Sequence, residues 1–526
     1  MLSFFVTVPT VLAVLMYLLP HEKTGKILAI AAQAVMTVFS SWLFFESKQG
    51  EIISFIGNYT GVMGIILKAD MLSTVFLTLT AFMFLIVALY TFNGSTSRLF
   101  LLLIFIWQGM LNGIFLTRDL FNIFVLIEVK TVVAAVLIMY HRGNRSIYDG
   151  MVYLMINTAA VLFYLFGVGY IYKLTGVLEM DAAAEVLRYL DKSLLVLPFA
   201  LILMPLSLKC ALVPLYSWLP KAHGSPGAPT VVSALLSGLH IKSAVYLFIR
   251  LSYIFPGINA SGFFLTIGII TGIVGFIFAL AQNDIKLVLA YHTISQIGMI
   301  MIGLNLNDDY SYIGSIYHIF NHALFKSALF LCAGMISHAY GTRNIDEIRG
   351  VLKQKPLVGI AAIMAVMGIT GTPLFNGSIS KYFIMAGADR FITGAVIFIN
   401  LGTIITFIKF SSMFFGRLKP GQIIEKADGF KQAAVLILGV LCFAGGIFGE
   451  QFIAFLFDVN ADVDAAGYFE KVILFVLSGL IGFLIYKFYV KKSKLLLKLR
   501  EFELGFRGMC ALMGVFFAAL LITISF

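Results

Sequence analysis

Apolar runs of about 18–25 residues recur along nearly the whole chain, separated by short loops that carry most of the charge. As a helix, each run can cross a hydrocarbon core of about 30 Å, and each is far too long for a barrel strand. With 60% hydrophobic and only 12% charged residues, the composition agrees with an all-α polytopic membrane protein. The runs predict about sixteen spans, at roughly 2–20, 26–45, 71–93, 99–117, 119–140, 148–174, 193–218, 229–254, 259–281, 284–306, 311–338, 356–388, 392–416, 431–455, 469–490 and 504–525. The first run lacks a basic n-region and reads as a retained span.

Loop charge tests this count. Loops after odd-numbered spans hold roughly 20 basic residues, including Lys419 and Lys426, and loops after even-numbered spans roughly 9. That asymmetry predicts both termini outside, with the Arg343–Lys355 and Arg417–Lys431 loops in the cytoplasm. The formal net charge of +11 therefore reflects orientation; without a basic domain or arginine-rich tail, nucleic acid is not an expected partner. Cys210, Cys332, Cys442 and Cys510 stand singly in apolar runs, so no metal knuckle or iron–sulfur motif is expected. The segment EIISFIGNYTGVMGIILKAD suits an outer-face hairpin better than a span, and KKSKLLLKLREFE, 491–503, suits the cytoplasmic interface or a partner contact. The chain divides into N-terminal helices with the hairpin (1–95), a first five-helix unit (96–256), a second (257–418) and C-terminal helices (419–526).

The stretch Pro205–Arg250 sets Lys209 in an apolar run between Pro205 and Pro214, then interrupts the helix through Pro220, Pro226, Gly227 and Pro229 before Lys242. A lysine at the centre of a spanning helix costs about 2.5–3.5 kcal/mol on insertion scales, so two of them around a broken helix predict a polar cavity and an ion or proton route. The fifth span places Glu128 mid-helix and Lys130 about 200° further round, so the two face different surroundings and Lys209 is the expected partner of Glu128. Lys242 has no evident carboxylate, which suits an amine that gains and loses a proton. In the eleventh span His318, His322 and Lys326 follow at i+4 intervals on one face. The twelfth span is interrupted at Gly371, Pro373 and Gly377 before Lys381.

Broken helices in corresponding places point to two inverted repeats, with Lys209 matching Lys381 and Lys242 matching Lys409 by helix. The alternative is structural: Glu128 and Lys209 a fixed ion pair, Lys130 and Lys409 snorkelling near span ends, His240 and His292 hydrogen-bonded core residues.

The words DLFNIFVLIE, LKCALVPLYSWLPKAHGSPGAPTVVSALLSGLHIKSAVYLFIR, QNDIKLVLAYHTISQIGMIMIG, HIFNHALFKSALFLCAG and GTPLFNGSISKY resemble the antiporter-like membrane subunits shared by respiratory complex I, Mrp-type Na+/H+ antiporters and membrane-bound hydrogenases. The resemblance covers spans five to twelve, and the long seventh–eighth block is its most specific part. It implies about fourteen core helices in two inverted five-helix repeats, with the seventh and twelfth broken; about two further C-terminal helices rest on hydropathy alone. By position it implies a charged pair of Glu128 and Lys209 at the entrance, Lys242 as central lysine, and His318 and His322 as the connecting stripe. Lys381 would be the far end, and Lys326 the lysine of the HALFK word. Lys130 and His292 depart from the family's usual uncharged residue and Ser. Length and a lysine at 381 lean toward the D-type subunit of Mrp antiporters or hydrogenase modules, since 491–503 is too short for the lateral helix of complex I's largest such subunit.

The expected function is therefore proton translocation within a hetero-oligomeric membrane complex, with other membrane subunits and the bilayer as partners. Sodium sites need clustered oxygen ligands and the spans offer one well-placed carboxylate, Glu128, so protons are expected here and any Na+ path in a partner. There is no nucleotide, flavin or haem motif, so no cofactor is expected. A stand-alone solute transporter, or a membrane acyltransferase using His318 or His322, are the competing readings.

Overall fold

The computed structural model describes residues 1–19, 21–58, 64–94, 96–418 and 428–525. Lys419 and Lys426 of the basic loop, and the tip of the expected hairpin, lie outside the described residues. Helices α1 (Phe4–Leu18) and α2 (Glu22–Ser47) precede strands β1 (Ile52–Phe55) and β2 (Ile66–Ala69), then α3 (Met71–Thr91), α4 (Arg98–Leu116), α5 (Leu120–Ile138) and α6 (Asn144–Thr175). A short α7 (Met180–Leu187) leads to α8 (Lys192–Lys209), α9 (Trp218–Gly224), α10 (Thr230–Leu235) and α11 (Ile241–Ser252). There follow α12 (Ser261–Ala281), α13 (Ile285–Leu304), α14 (Asp309–Tyr340), α15 (Val351–Gln354), α16 (Pro356–Thr370), α17 (Asn376–Ile384) and α18 (Arg390–Ser411). The chain closes with α19 (Gly429–Ile447), α20 (Gly449–Phe457), α21 (Ala465–Phe488), α22 (Lys494–Arg500) and α23 (Phe506–Ser525).

Every expected span is helical. Among the described residues, 14 helices are long and apolar enough to cross a membrane, α10 and α11 counting as one, and α1 and α16 are shorter apolar helices. The 52–69 segment is a hairpin, pairing Ile52 with Ala69 and Phe55 with Ile66.

The seventh span breaks earlier than the proline pattern suggests. Pro205 lies inside α8 and Pro220 inside α9; the interruption falls at Cys210–Ser217, where Ala211 takes a positive φ of 55° before a cis Val213–Pro214 bond. The eighth span carries a second irregularity, a π turn over Leu236–His240 just before Lys242. The twelfth breaks between α16 and α17, where Gly371 (φ 75°) and Leu374 (φ 69°) turn the chain. Each irregularity frees backbone carbonyls inside the bundle.

One knot occurs twice. The 32-residue α6 ends at left-handed Gly176, after which Glu179 bridges Asp119, the N-cap of α5. The 32-residue α14 ends at left-handed Gly341, after which Asn344 bridges Asp284, the N-cap of α13. A broken helix follows each knot. Lys209, however, ends the half-helix before its break, whereas Lys381 lies in the half after it, so the two match by helix and not by position. Counted from the first residue of the second half-helix, the counterpart of Lys381 is His223.

The C-terminal helices pack against α8 and α18. On α23, Met509, Met513, Phe516 and Leu520 form the buried stripe that packs on α8, and α21 lies against α18. Between them 491–503 folds back over its own chain: Arg500 Nε donates to the Ala281 carbonyl at 2.8 Å, and Phe502 packs 5.9 Å from Phe278.

Helices α12 and α13 approach backbone to backbone, because Gly268 and Gly275 face Gly298 and Ser295, and Gly298 faces the backbone of Gly272. A Cβ on Gly298 would stand 2.3 Å from the Gly272 nitrogen, with no flexible side chain able to yield. Gly298→Val should therefore cost at least about 1–3 kcal/mol and lower the thermal midpoint of the purified protein, while Gly262→Ala, where the space is open and alanine favours the helix, should not lower it.

Candidate functional site

The buried polar groups form two clusters joined at α11. In the first, Lys209 Nζ donates to Thr131 Oγ1 at 3.3 Å and Asn157 Oδ1 at 3.2 Å. Its expected ion pair with Glu128 does not form. Glu128 is half-buried, bonds Thr158, keeps Oε1 without a partner and acts on Lys209 through space. The α5 helix turns Glu128 toward Thr158 of α6, while Thr131, one turn on, meets the lysine.

Lys130 does not snorkel: it is 1% exposed, and its Nζ donates to Ser243 Oγ at 2.6 Å, beside Lys242. The 200° separation from Glu128 puts Lys130 into the bundle. His240 is held from both sides, since Trp107 Nε1–H donates to Nδ1 at 3.3 Å and Nε2 meets the Tyr153 hydroxyl at 3.0 Å. Indole can only donate, so Nδ1 accepts and the proton of neutral His240 sits on Nε2. A second proton would break the Trp107 bond, which makes His240 a fixed anchor.

The second cluster centres on Lys242, whose Nζ bonds both the Ser237 carbonyl of the π turn and His322 Nδ1. Lysine and imidazole can each hold the shared proton. His322 Nε2 has no partner, and Lys326, His318 and His292 also lie within electrostatic reach of its ring. His318 bonds Gln296 Oε1 through Nε2 at 3.1 Å and Ser380 Oγ through Nδ1 at 2.8 Å. Ser380 adjoins Lys381, whose Nζ donates to the Ile369 carbonyl at 2.6 Å and Asn400 Oδ1 at 2.7 Å. The stripe therefore runs across α11, α14 and α17.

Lys326 Nζ turns to the Leu289 carbonyl at 2.6 Å. His292, buried against Phe407 at 4.8 Å, has no partner on either nitrogen. Lys409 stands apart, bonded to the Leu280 and Gln282 carbonyls at 2.9 and 2.6 Å where α12 ends, with Arg500 nearby.

Two further polar groups carry little signal in the sequence. His223 is buried, stacks 4.7 Å from Phe330, leaves both nitrogens unpartnered and lies within reach of Lys242, Lys286 and Lys326. Lys286, bonded to the Ala228 carbonyl at 2.8 Å, lines a cavity of about 990 Å³ with His141, His338 and Arg343. His141 and Arg343 belong to loops after odd-numbered spans, and His338 to the end of α14. Both residues sit at span ends, where hydropathy assigns charge to the loops; the one available signal is their place beside the breaks.

Residues 117–408 match the family model described as NADH:quinone oxidoreductase/Mrp antiporter, TM. The chain is 30% identical over 432 residues to the D-type subunit of the Na(+)/H(+) antiporter of Alkalihalophilus pseudofirmus, an alignment covering 79% of this chain and 86% of that one. It is 31% identical over 435 residues to the N-type subunit of the NADH-quinone oxidoreductase of Desulforudis audaxviator, covering 76% and 85%. It superposes on a chain of the Mrp complex from Dietzia sp. with a TM-score of 0.80, over 90% of this chain and 99% of that one, at 24% identity, a likeness of fold.

Beside the break of the seventh span, Glu503 accepts from Lys221 of α9 and from Arg145 of α6, the latter at 2.6 Å. Partial burial pushes its carboxyl up, but the two cations outweigh this and hold it below its ordinary value of 4.5. A carboxylate held low contributes stability that is complete above its unfolded value and lost as pH falls through its folded one. With Glu503 45% exposed, each pair contributes only about 0.2–1 kcal/mol. Hydrogen-exchange protection of 494–504, corrected for intrinsic rates, should be flat from about pH 8 to 5 and fall severalfold below about pH 4. Glu503→Gln should show the lower protection at every pH.

Proposed function

Because the chain belongs to the NADH:quinone oxidoreductase/Mrp antiporter family of membrane subunits, we propose that it carries protons through the membrane core within a multisubunit complex. The observation that carries this reading is the buried file from Lys242 through His322 and His318 to Ser380 and Lys381, which holds no carboxylate. A lysine bonded to a carboxylate is fixed in the charged state. One bonded to a carbonyl can lose its proton and still donate, since a neutral amine keeps two N–H groups.

In this reading Lys286 and His223 bring protons from the large cavity on the basic face to Lys242 and Lys326. Glu128, Lys130 and Lys209 bias the charge on Lys242, and Lys381 receives the proton at the far end. At an effective dielectric of about 20 and about 8 Å, each such charge changes its neighbour's protonation by on the order of 2 kcal/mol, enough to gate a proton without trapping it. The basic face is cytoplasmic and both termini face outside, as loop charge supports. The repeated knot supports two five-helix units, 96–256 and 257–418, related by inversion. The relatives named for the antiporter and the oxidoreductase support partnership with other membrane subunits of a cell-membrane complex, with Na+ movement assigned mostly to those partners.

Lys242→Ala in the assembled complex should lower proton-coupled transport by roughly tenfold or more in inverted vesicles while the other subunits still copurify. Lys130→Ala, facing Ser243, should also slow transport. Wild-type rates in Lys242→Ala, or activity that only tracks the amount of assembled protein, would make the lysines structural. A monodisperse, active single chain would favour the stand-alone transporter.

A further inference from the structure

The polar file does not stop at Lys381. Beside it lies a small cavity of about 50 Å³ shared by Lys381, Asn400, Ser378 and Lys471. Lys471 belongs to α21, beyond the 117–408 stretch that matches the family model. The helix turns most of its side chains outward, with Phe469, Ile473, Val476, Leu477 and Leu480 exposed, and keeps Ser478 and Gly482 buried. Lys471 lies on that inner side. Its Nζ donates to the Tyr382 carbonyl at 3.1 Å and sits 3.9 Å from the centre of the Tyr382 ring, one residue past Lys381.

A lysine near the end of a peripheral helix ordinarily extends its stem toward water. This one points into the bundle. Tyr468, three residues earlier, fixes the same contact: its hydroxyl bonds Ser378 Oγ at 3.1 Å and accepts from the Leu374 N–H at 3.3 Å, at the break between α16 and α17.

We propose that Lys471 is the terminal proton carrier of the file, taking protons from Lys381 and passing them to the face at the N-terminal end of α21. The inference rests on the proton file proposed for this chain. A cavity of this size has room for a water, and Lys381, Asn400, Ser378 and Lys471 offer it polar partners. Transfer breaks one N–H bond of the Lys381 ammonium as an O–H bond forms on the water, which gives another of its protons to the neutral Lys471 amine. Lys381 is left neutral, the water is regenerated and Lys471 carries the charge. Lys471 then releases its proton to solvent, and the helix break places this exchange at the hinge where α16 meets α17.

The test uses Lys471→Met, Lys471→Arg and Lys471→His in the assembled complex, with Lys381→Met as the control for the file itself. Proton-coupled transport is read in vesicles across a pH series, and assembly by copurification of the other subunits. Arginine keeps the cation over Tyr382 and its hydrogen bond but does not give up its proton, whereas histidine does so near neutral pH. The expected result is a loss of about tenfold or more in Lys471→Met and Lys471→Arg. Lys471→His should retain a substantial rate, with its pH profile moved to lower pH. A wild-type rate and profile in Lys471→Arg overturns the proposal in favour of a structural cation, as does a wild-type rate in Lys471→Met or inactivity of both Lys471→Arg and Lys471→His. If Lys471→Met does not assemble, the arginine and histidine pair decides. A wild-type rate in Lys381→Met overturns the file, and this inference with it; loss there beside wild-type Lys471 variants overturns this inference alone.

Discussion

Ammonium groups inside a membrane bundle need partners, and this chain supplies backbone carbonyls where most buried ion pairs would supply carboxylates. Lys242 meets the Ser237 carbonyl in the π turn, Lys381 the Ile369 carbonyl in the last turn of α16, and Lys409 the Leu280 and Gln282 carbonyls at the end of α12. Carbonyls at a helix C-terminus carry the negative end of the helix dipole, so they favour a cation without fixing it. Irregular backbone is tolerated inside a membrane bundle where it is buried in protein, as it is at the α8–α9 break and in the π turn. The broken helices and the buried lysines are thus one arrangement: removing the breaks would orphan the lysines, and removing the lysines would leave carbonyls unpaired.

The rest of the architecture holds that arrangement in place from both faces. On one face, Asp70 caps α3 and takes Arg118, at 2.5 Å, and Arg250, tying α3 to the α4–α5 linker and to α11, the helix that carries Lys242. Burial raises the Asp70 carboxyl, and the two guanidinium groups outweigh it and hold the group below its ordinary range. On the other face, Glu503 joins α6 and α9 through Arg145 and Lys221, and Arg343 joins Asp284 at 2.8 Å. The segment 491–503 crosses from α21, which packs on α18, to α23, which packs on α8.

Fold class, the helical runs, the hairpin and both broken helices are legible in the sequence because each rests on a local signal: run length, turn residues, or a proline or glycine at fixed offsets. Partner choice is not. Opposite charge makes Lys209 the natural mate of Glu128, but helix rotation sets Thr131 and Asn157 against the lysine, and that angle depends on packing that no single helix encodes. Helical spacing turns Lys130 toward other surroundings than Glu128, which holds, yet those surroundings are the core and not the lipid. His223 and Lys471 escape a reading of the sequence for a shared reason: charge at a span end reads as loop, and only the fold shows which way the side chain turns.

The central claim is that carbonyl-held lysines change protonation during turnover. Infrared difference spectroscopy on the assembled complex, with ζ-¹⁵N-lysine incorporated and turnover started by a pH jump, tests it most directly. The account predicts ammonium deformation bands that shift with the isotope and lose amplitude in Lys242→Met and in Lys381→Met. Active transport with no isotope-sensitive lysine band, or bands unchanged in both variants, would contradict it.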